Sequence, residues 1–475
     1  MQVPILNGVY TDAAGDFRSS YPRNLIPVPK DQGISKGYLR PADGVVQTAL
    51  ADDVCRGGIN WNGKLYRVQG TFLCSVASDG TVTKIGEIGG AGPVTMDYSF
   101  DRLAIESSGL LWYYLPGVDT STGESNLRYV SDADIGQVNC VQWVDGYFMT
   151  TDGTVLVVTD LNDPFSVNPL KYGSSEIDPD PVVRLLKLND EPYAVNRYTV
   201  EAFRNVGGDN FPFQRVDGAQ LPRGAVGKMA CAVFADNLAF LGSGRNEPPS
   251  VWLGNNGDTA KLATREIDTI LQGYTEAQLA TAVCEVRVDK SHVMLYVHLP
   301  DQTLVYDHAA SEVSGERVWF TLDSAMFGEK TAYTARYLTW CYDAWQVGDH
   351  TSGRLGRLSF DTSDLWGQPV GWEASTVVIY NESAGAIVHE LELVCLSGRA
   401  PLGEDGVVWT EYSVDGMEWS QPELCRAGRP GERRIRIAWL EQGSLEQWRV
   451  QRFRGSSRAR LSLARLEATL EALHW

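Results

Sequence analysis

Apolar and polar residues alternate with a period of two along most of this chain, and the alternation comes as a repeated phrase. A short apolar run, a polar turn, a second run, another turn and a third run succeed one another from residue 46 to residue 370. A period of two puts successive side chains on opposite faces of a strand, so each phrase reads as antiparallel hairpins. The first turn of each phrase falls at Asn62-Gly63, Phe100-Asp101, Asp145-Gly146, Asn189-Asp190, Asp236-Asn237, Asp289-Lys290 and Tyr342-Asp343, at intervals of 38, 45, 44, 47, 53 and 53 residues. Second turns at Asp79-Gly80 and Asp152-Gly153 carry a residue pair that accepts positive φ at both positions, a strong hairpin signal. A single blade of this kind cannot bury both its faces, so the repeat predicts an all-β protein with a β-propeller over 46–370. The turns give six or seven blades. Seven is favoured, and six follows if the last phrase belongs to the next domain.

One insertion breaks the rhythm. Over 262–283 the pattern turns helical: Thr275, with Gln278 three residues on, forms a capping box before Leu279, Ala280 and Ala282. Alternation then resumes with Val286, Val288, Val293, Leu295, Val297 and Leu299 around a turn, and Leu304-Val305-Tyr306-Asp307 returns as a third strand. Residues 1–45 carry Pro22, Pro27 and Pro29 close together, which excludes a helix or a central strand and predicts an extended Pro-rich N-terminal arm. From 371 the spacing changes. Runs at 377–380, 389–396, 407–413, 418–420, 433–440, 448–453 and 460–470 read as seven short strands, hence a C-terminal β-sandwich-like domain over 371–475. Leu466, Leu470 and Leu473 also have helical spacing, which leaves a short terminal helix open. Two stretches, 160–180 and 245–258, look longer than a blade needs and read as partner-facing loops.

Composition narrows the class. The 475 residues suffice for two or three domains, and the 14 Trp and 20 Tyr favour strands. Eight dispersed cysteines without a C-x-x-C pair argue against a disulfide framework or a zinc site. No run is long and apolar enough for a membrane span, and no leader pattern opens the chain, so a protein made in the cytoplasm without membrane insertion is expected. The net charge of −19 is uneven: residues 425–475 hold eleven Arg and five Glu, which leaves −25 on 1–424. Affinity for nucleic acid comes largely from Lys and Arg neutralising phosphates, so an acidic body argues against wrapping a duplex tightly.

No nucleophile elbow, zincin or P-loop motif occurs, and no cofactor or metal is implied. Carboxylates grouped at Glu176, Asp178 and Asp180, or at Asp361 and Asp364, raise the alternative of a propeller-type carbohydrate-binding protein or glycoside hydrolase. With 60 acidic residues such groups arise by chance, so Glu176, Asp178 and Asp180 are read instead as an acidic loop facing a channel or partner. His292 and His298 share one strand parity, near His308, and read as a polar face more than a metal site. The run 413–419 resembles the Asp-box of sialidases but lacks one residue between Asp415 and Gly416, so those two read as a simple turn. The arginines near the C-terminus are the clearest charge feature. Arg434 with Arg436, Arg452 with Arg454, and Arg458 with Arg460 are spaced to share strand faces, and read as a basic docking strip for an acidic neighbour, the acidic body of an adjacent copy included.

Ile267, Asp268, Ile270, Leu271, Tyr274, Thr275, Leu279, Ala280, Thr281 and Val283, followed by His298-Leu299-Pro300 and Leu304-Val305-Tyr306-Asp307, form an order that resembles the packaged-DNA stabilisation proteins of short-tailed bacteriophages. The Pro-rich start leading to Gly37-Tyr38-Leu39-Arg40 is similar to that family as well, and the likeness spans nearly the whole chain except the Arg-rich tail. The resemblance implies a non-enzymatic structural virion protein: a tail hub, or nozzle, that extends the portal channel, retains the packaged genome and lets it pass on ejection. It further implies a homo-hexamer ring below a head-to-tail adaptor ring, contacts with a tail needle or plug and with tailspikes, and genomic double-stranded DNA in the lumen without sequence-specific binding. The implied location is the tail of the virion, assembled in the host cytoplasm, and the implied C-terminus is a closing strand.

Overall fold

The computed structural model describes residues 2–6, 8–11, 17–30, 35–161, 163–208, 210–328, 330–381 and 384–473. Seven antiparallel sheets follow one another, at 55–87, 95–129, 140–174, 182–215, 224–261, 283–322 and 335–359, here blades one to seven. The first strands of the blades lie side by side in an unbroken circle, the seventh against the first, so the propeller is closed. Blade seven supplies three of its own strands. Its fourth is Gly44–Leu50, which pairs with Arg354–Ser359 from Gly44↔Ser359 to Leu50↔Arg354, so the two ends of the propeller close the ring in one ladder.

All seven predicted first turns are the hairpins between first and second strands. Six of them take a left-handed backbone: three meet it with Asn62-Gly63, Asp145-Gly146 and Asn189-Asp190, residues that tolerate positive φ, while the others place Ala235 with Asp236, Lys290, and Tyr342 with Asp343 there. Tyr342 takes φ 55° despite its bulk because its hydroxyl is tied into blade one, donating to the Val76 carbonyl (2.9 Å) and accepting the Leu65 amide (3.3 Å). Each pair of neighbouring blades encloses one apolar cluster, and the seven clusters match the seven interfaces. The closing seam between blades seven and one has the smallest, formed by Cys55, Leu65, Val76, Cys341 and Leu355. The guanidinium of Arg67 fills part of that seam, bonded to Cys55 Sγ (3.4 Å) and to the Tyr337 carbonyl (3.1 Å).

Two helices, α1 (Arg265–Gln272) and α2 (Glu276–Leu279), occupy the insertion between blades five and six. The capping box is present: the Thr275 amide donates to Gln278 Oε1 (2.9 Å) and the Gln278 amide to Thr275 Oγ1 (3.3 Å). A third helix, α3 (His308–Ser314), interrupts blade six, where the sequence reading held no helix. Its signals are short but present: Asp307 caps the Ala310 amide, and Gly315 ends the helix at φ 72°. The two stretches read as long loops contain the strands Val167–Ser174 and Ser250–Asn255, hidden from the alternation by Pro169 and by Pro248-Pro249. Pro169 is tolerated because Val167–Ser174 is an edge strand.

The second domain is a sandwich of two sheets. One runs Leu25–Pro29, Gly37–Pro41, Leu463–Ala472, Ala386–Cys395, Ile437–Leu440, and the other Gly371–Ser375, Trp448–Ser456, Gly406–Ser413, Glu423–Gly428. Their core includes Leu25, Leu39, Trp372, Leu391, Phe453 and Leu466. Two expectations change here. Leu25–Pro29 and Gly37–Pro41, expected within an extended arm lying over another part of the chain, are two strands of this sheet. Pro27 and Pro29 lie on its outermost strand, where missing amide donors leave no ladder partner unmet. The 418–420 run is a bend, and the strand follows at Glu423–Gly428. The C-terminus closes as the strand Leu463–Ala472, with His474 and Trp475 outside the described residues.

Residues 22–24 join the domains at the propeller rim. The Arg23 amide donates to the Glu373 carbonyl (2.9 Å) and the Arg23 carbonyl accepts the Glu373 amide (3.1 Å), while Asn24 N reaches Thr321 O (2.8 Å) and Thr321 N reaches Pro22 O (2.9 Å). Thr321 is on the outermost strand of blade six, so one short segment carries the ladder of that blade into the sandwich. Asn24, buried at φ 52°, adds a bond to the Gly371 carbonyl (2.7 Å), and Arg23 pairs with Asp323 (2.7 Å).

Candidate interaction surfaces

The predicted acidic loop is mostly structural. Asp178 holds Arg245 through both carboxylate oxygens (2.9 and 2.8 Å). Asp180 accepts the amides of Tyr198 (2.6 Å) and Thr199 (3.1 Å), and burial pushes its carboxyl up. Of the three, Glu176 alone stands exposed.

The predicted basic strip is likewise largely paired, and parts of it are not strand. Arg434 and Arg436 precede the strand Ile437–Leu440, and Arg458 and Arg460 lie in the turn after Trp448–Ser456. Arg436 bridges Glu390 (2.9 Å) and Glu392 (2.5 Å) on the next strand. Arg452 and Arg454 do share a face, and both meet the buried carboxylate of Glu411, with Arg452 also stacked on Trp419 at 3.8 Å. Arg458 pairs with Glu404 (2.9 Å) and Asp364 (3.2 Å), while burial lowers the pKa of Arg460. Only Arg434 of the six stands exposed without an acidic partner among the described residues.

The other candidates resolve as scaffolding. His292 Nδ1 bonds Asp307 (2.5 Å), His298 Nδ1 bonds Thr303 (2.8 Å), and His308 lies 3.4 Å from Glu312. No group of three or more metal-ligating side chains exists among the described residues. Asp415 accepts the amides of Met417 (2.8 Å) and Glu418 (2.9 Å), as a turn residue does. Asp364 is held by Arg458 and Ser457, so it is not free to act with Asp361 as an acid–base pair.

Sequence reading missed the contents of the propeller's centre. Lys228, between the two short strands that open blade five, pairs with Glu106 of blade two. Those blades are three places apart in a ring of seven, so the pair spans the axis. Arg56 beside it donates to the carbonyls of Gly70 (2.8 Å), Gly89 (2.8 Å) and Gly92 (2.7 Å). Between blades six and seven, Glu285 accepts the amides of Tyr337 (2.6 Å) and Leu338 (3.2 Å). These groups are lone charges scattered over four blades in the sequence, and the Lys228–Glu106 pair follows only from ring closure.

Charge is also polarised around the rim. Residues 115–180, from the last strand of blade two through the whole of blade three, hold eleven acidic and two basic residues. Glu124, Asp134 and Asp163 there are exposed, beside Tyr129, Leu170 and Tyr172, which are also exposed.

Comparison with known proteins agrees over the whole chain. The family model described as "Bacteriophage P22 Gp10, beta-propeller" matches residues 1–363, and "Bacteriophage P22 Gp10, beta-sandwich" matches residues 371–471. The tail hub protein gp10 of Salmonella phage P22 is 25% identical over 462 residues, which covers 94% of each chain. Among solved structures, the Pan2 WD40 domain of Neurospora crassa is 10% identical with a TM-score of 0.42, covering 67% of this chain and 96% of its own. Hsv2 of Kluyveromyces lactis is 10% identical with a TM-score of 0.36, covering 72% and 95%.

Proposed function

The chain belongs to the bacteriophage P22 Gp10 family, and from that membership we propose that it is a tail hub of a phage virion. It is a structural component: it extends the channel through which packaged DNA is held and later released, and it catalyses no reaction. In this reading six copies form a ring beneath a head-to-tail adaptor, with a needle or plug below and tailspikes around it. The observation that carries it is the match of both domains over nearly the whole length of a tail hub protein. The alternative of a propeller glycosidase has no free carboxylate pair to support it among the described candidates.

The geometry makes the reading more specific. A duplex is far wider than a gap spanned by one Lys228–Glu106 pair, so DNA does not run along the axis of a single propeller. The lumen lies between copies, and each propeller is a wall stave. Its acidity then has a use, because carboxylates within a Debye length of about 8 Å repel phosphates and keep a duplex sliding.

The test is complementation of DNA retention. Heads filled in cells carrying a nonsense mutation in this gene are expected to lose their DNA to nuclease, and the purified chain, added with the adaptor, to restore protection. Full protection of the genome in particles lacking the chain sinks the reading.

A further inference from the structure

We propose that copies of this chain dock head to tail, through a basic shoulder on the sandwich of one copy and the acidic rim of blades two and three of the next. The proposal rests on the ring reading above and names the surfaces that would build it.

The shoulder is formed by two loops that hydrogen-bond to each other: Gly398 N to Ala427 O (3.2 Å) and Gly431 N to Gly398 O (3.1 Å). They bring Arg399, Arg429, Arg433 and Arg434 together, all exposed. The acids nearby are taken: Asp405 by Arg426 (2.6 Å), Glu404 by Arg458 (2.9 Å), and Glu432 by the Arg429 amide (2.8 Å) and Arg426 (3.6 Å). Arg399, Arg433 and Arg434 have no acidic partner among the described residues. Leu402, 95% exposed, and Leu396 project beside them. Unpaired arginines bordering exposed leucines, on a chain of net charge −19, have the composition of a docking surface for an acidic neighbour.

The rim of blades two and three offers the complement. The outer edges of these two blades touch, since the Tyr172 hydroxyl bonds the Asp134 carbonyl and Arg128 lies over the Phe165 ring at 4.8 Å. Exposed Leu170 and Tyr172 supply apolar area, Asp134 touches Tyr172, and Glu124 and Asp163 stand exposed on the loops of the same two blades. Opposite charges bordering apolar centres set orientation and exclude wrong partners.

Placement completes the argument. The sandwich hangs from blade six through residues 22–24, and in a ring of seven the two blades farthest from blade six are two and three. The patches therefore lie on opposite sides of the molecule and cannot meet within one copy. A contact between two different patches is heterologous, and it repeats from copy to copy until it closes into a ring or runs on as a filament.

Two charge-neutralised variants of the full chain test this, R399Q/R433Q/R434Q and E124Q/D134N/D163N. Each keeps one intact patch, so each alone should stay monomeric in sedimentation velocity at low salt. Mixed, they should form 1:1 dimers and stop there, with an affinity that falls roughly tenfold or more on raising the salt. The dimer in the mixture also shows that both variants are folded. If the mixture stays monomeric while circular dichroism and melting match the parent chain, or if either variant still self-associates like the parent, the proposal is overturned. Incorporation of the same variants into nuclease-resistant particles reads the tail hub role separately: resistant particles with no self-association sink only the docking surfaces.

Discussion

Glu285 is on the first strand of blade six, yet its carboxylate serves blade seven, and burial alone would push it up. The His298 ring and two amides instead hold it below the usual carboxylate range, so it stays charged as a strut between blades. At His350, nearby, burial and Arg336 outweigh the neighbouring Asp349 carboxylate. The His350 Nδ1 donates to the Thr334 carbonyl (3.2 Å), and burial, with Arg336 adding to it, pushes the imidazole from 6.5 down to about 4. The folded pKa is thus below the unfolded one, and between those values the unfolded chain binds more protons. Stability contributed by neutral His350 is complete above pH 6.5 and is lost as pH falls towards about 4. In urea titrations across that window, H350Q should show a shallower fall of stability with acid than the parent chain. An unchanged slope refutes the assignment.

At the scale of elements, closure of the ring hangs on one strand. Gly44–Leu50 reaches blade seven over the seam with the smallest apolar cluster, and Gly356 lets it approach, because a Cβ there would meet Val46 O at 2.6 Å and the Trp366 ring at 2.8 Å. G356V should cost about 1–3 kcal/mol by overpacking. Hydrogen exchange should show the loss confined at first to the amides of 44–50 and 354–359, with blades two to four still protected. Uniform loss of protection contradicts a seam that opens first. The blades themselves were legible in the sequence because each turn at Asn62, Asp145 or Asn189 is a local demand on φ, written in the residue that meets it. The membership of Gly44–Leu50 in blade seven was not legible. Nothing local distinguishes a strand that pairs with its neighbour from one that pairs with residues three hundred positions away. For the same reason the spacing of Arg452 and Arg454 was readable, while their shared carboxylate, Glu411 on another strand, was not.

For the molecule as a whole, an axis crossed by Lys228 and Glu106 and an acidic exterior both predict weak contact with DNA. The isolated chain should bind duplex no tighter than non-specific proteins do, about 10⁻⁴–10⁻⁶ M at physiological salt. Nanomolar binding with a steep salt slope in fluorescence anisotropy would falsify the sliding wall. The sandwich adds a different constraint. Its sheet takes Leu25–Pro29 and Gly37–Pro41 from one end of the chain and Leu463–Ala472 from the other, with the entire propeller threaded between them. During synthesis these two early strands therefore have only each other, and their next neighbour in the sheet comes only when Leu463–Ala472 has been made. A nascent chain stalled at residue 450 carries a nearly finished propeller and a beginning that still lacks this neighbour. Its earliest residues are the last to find their place.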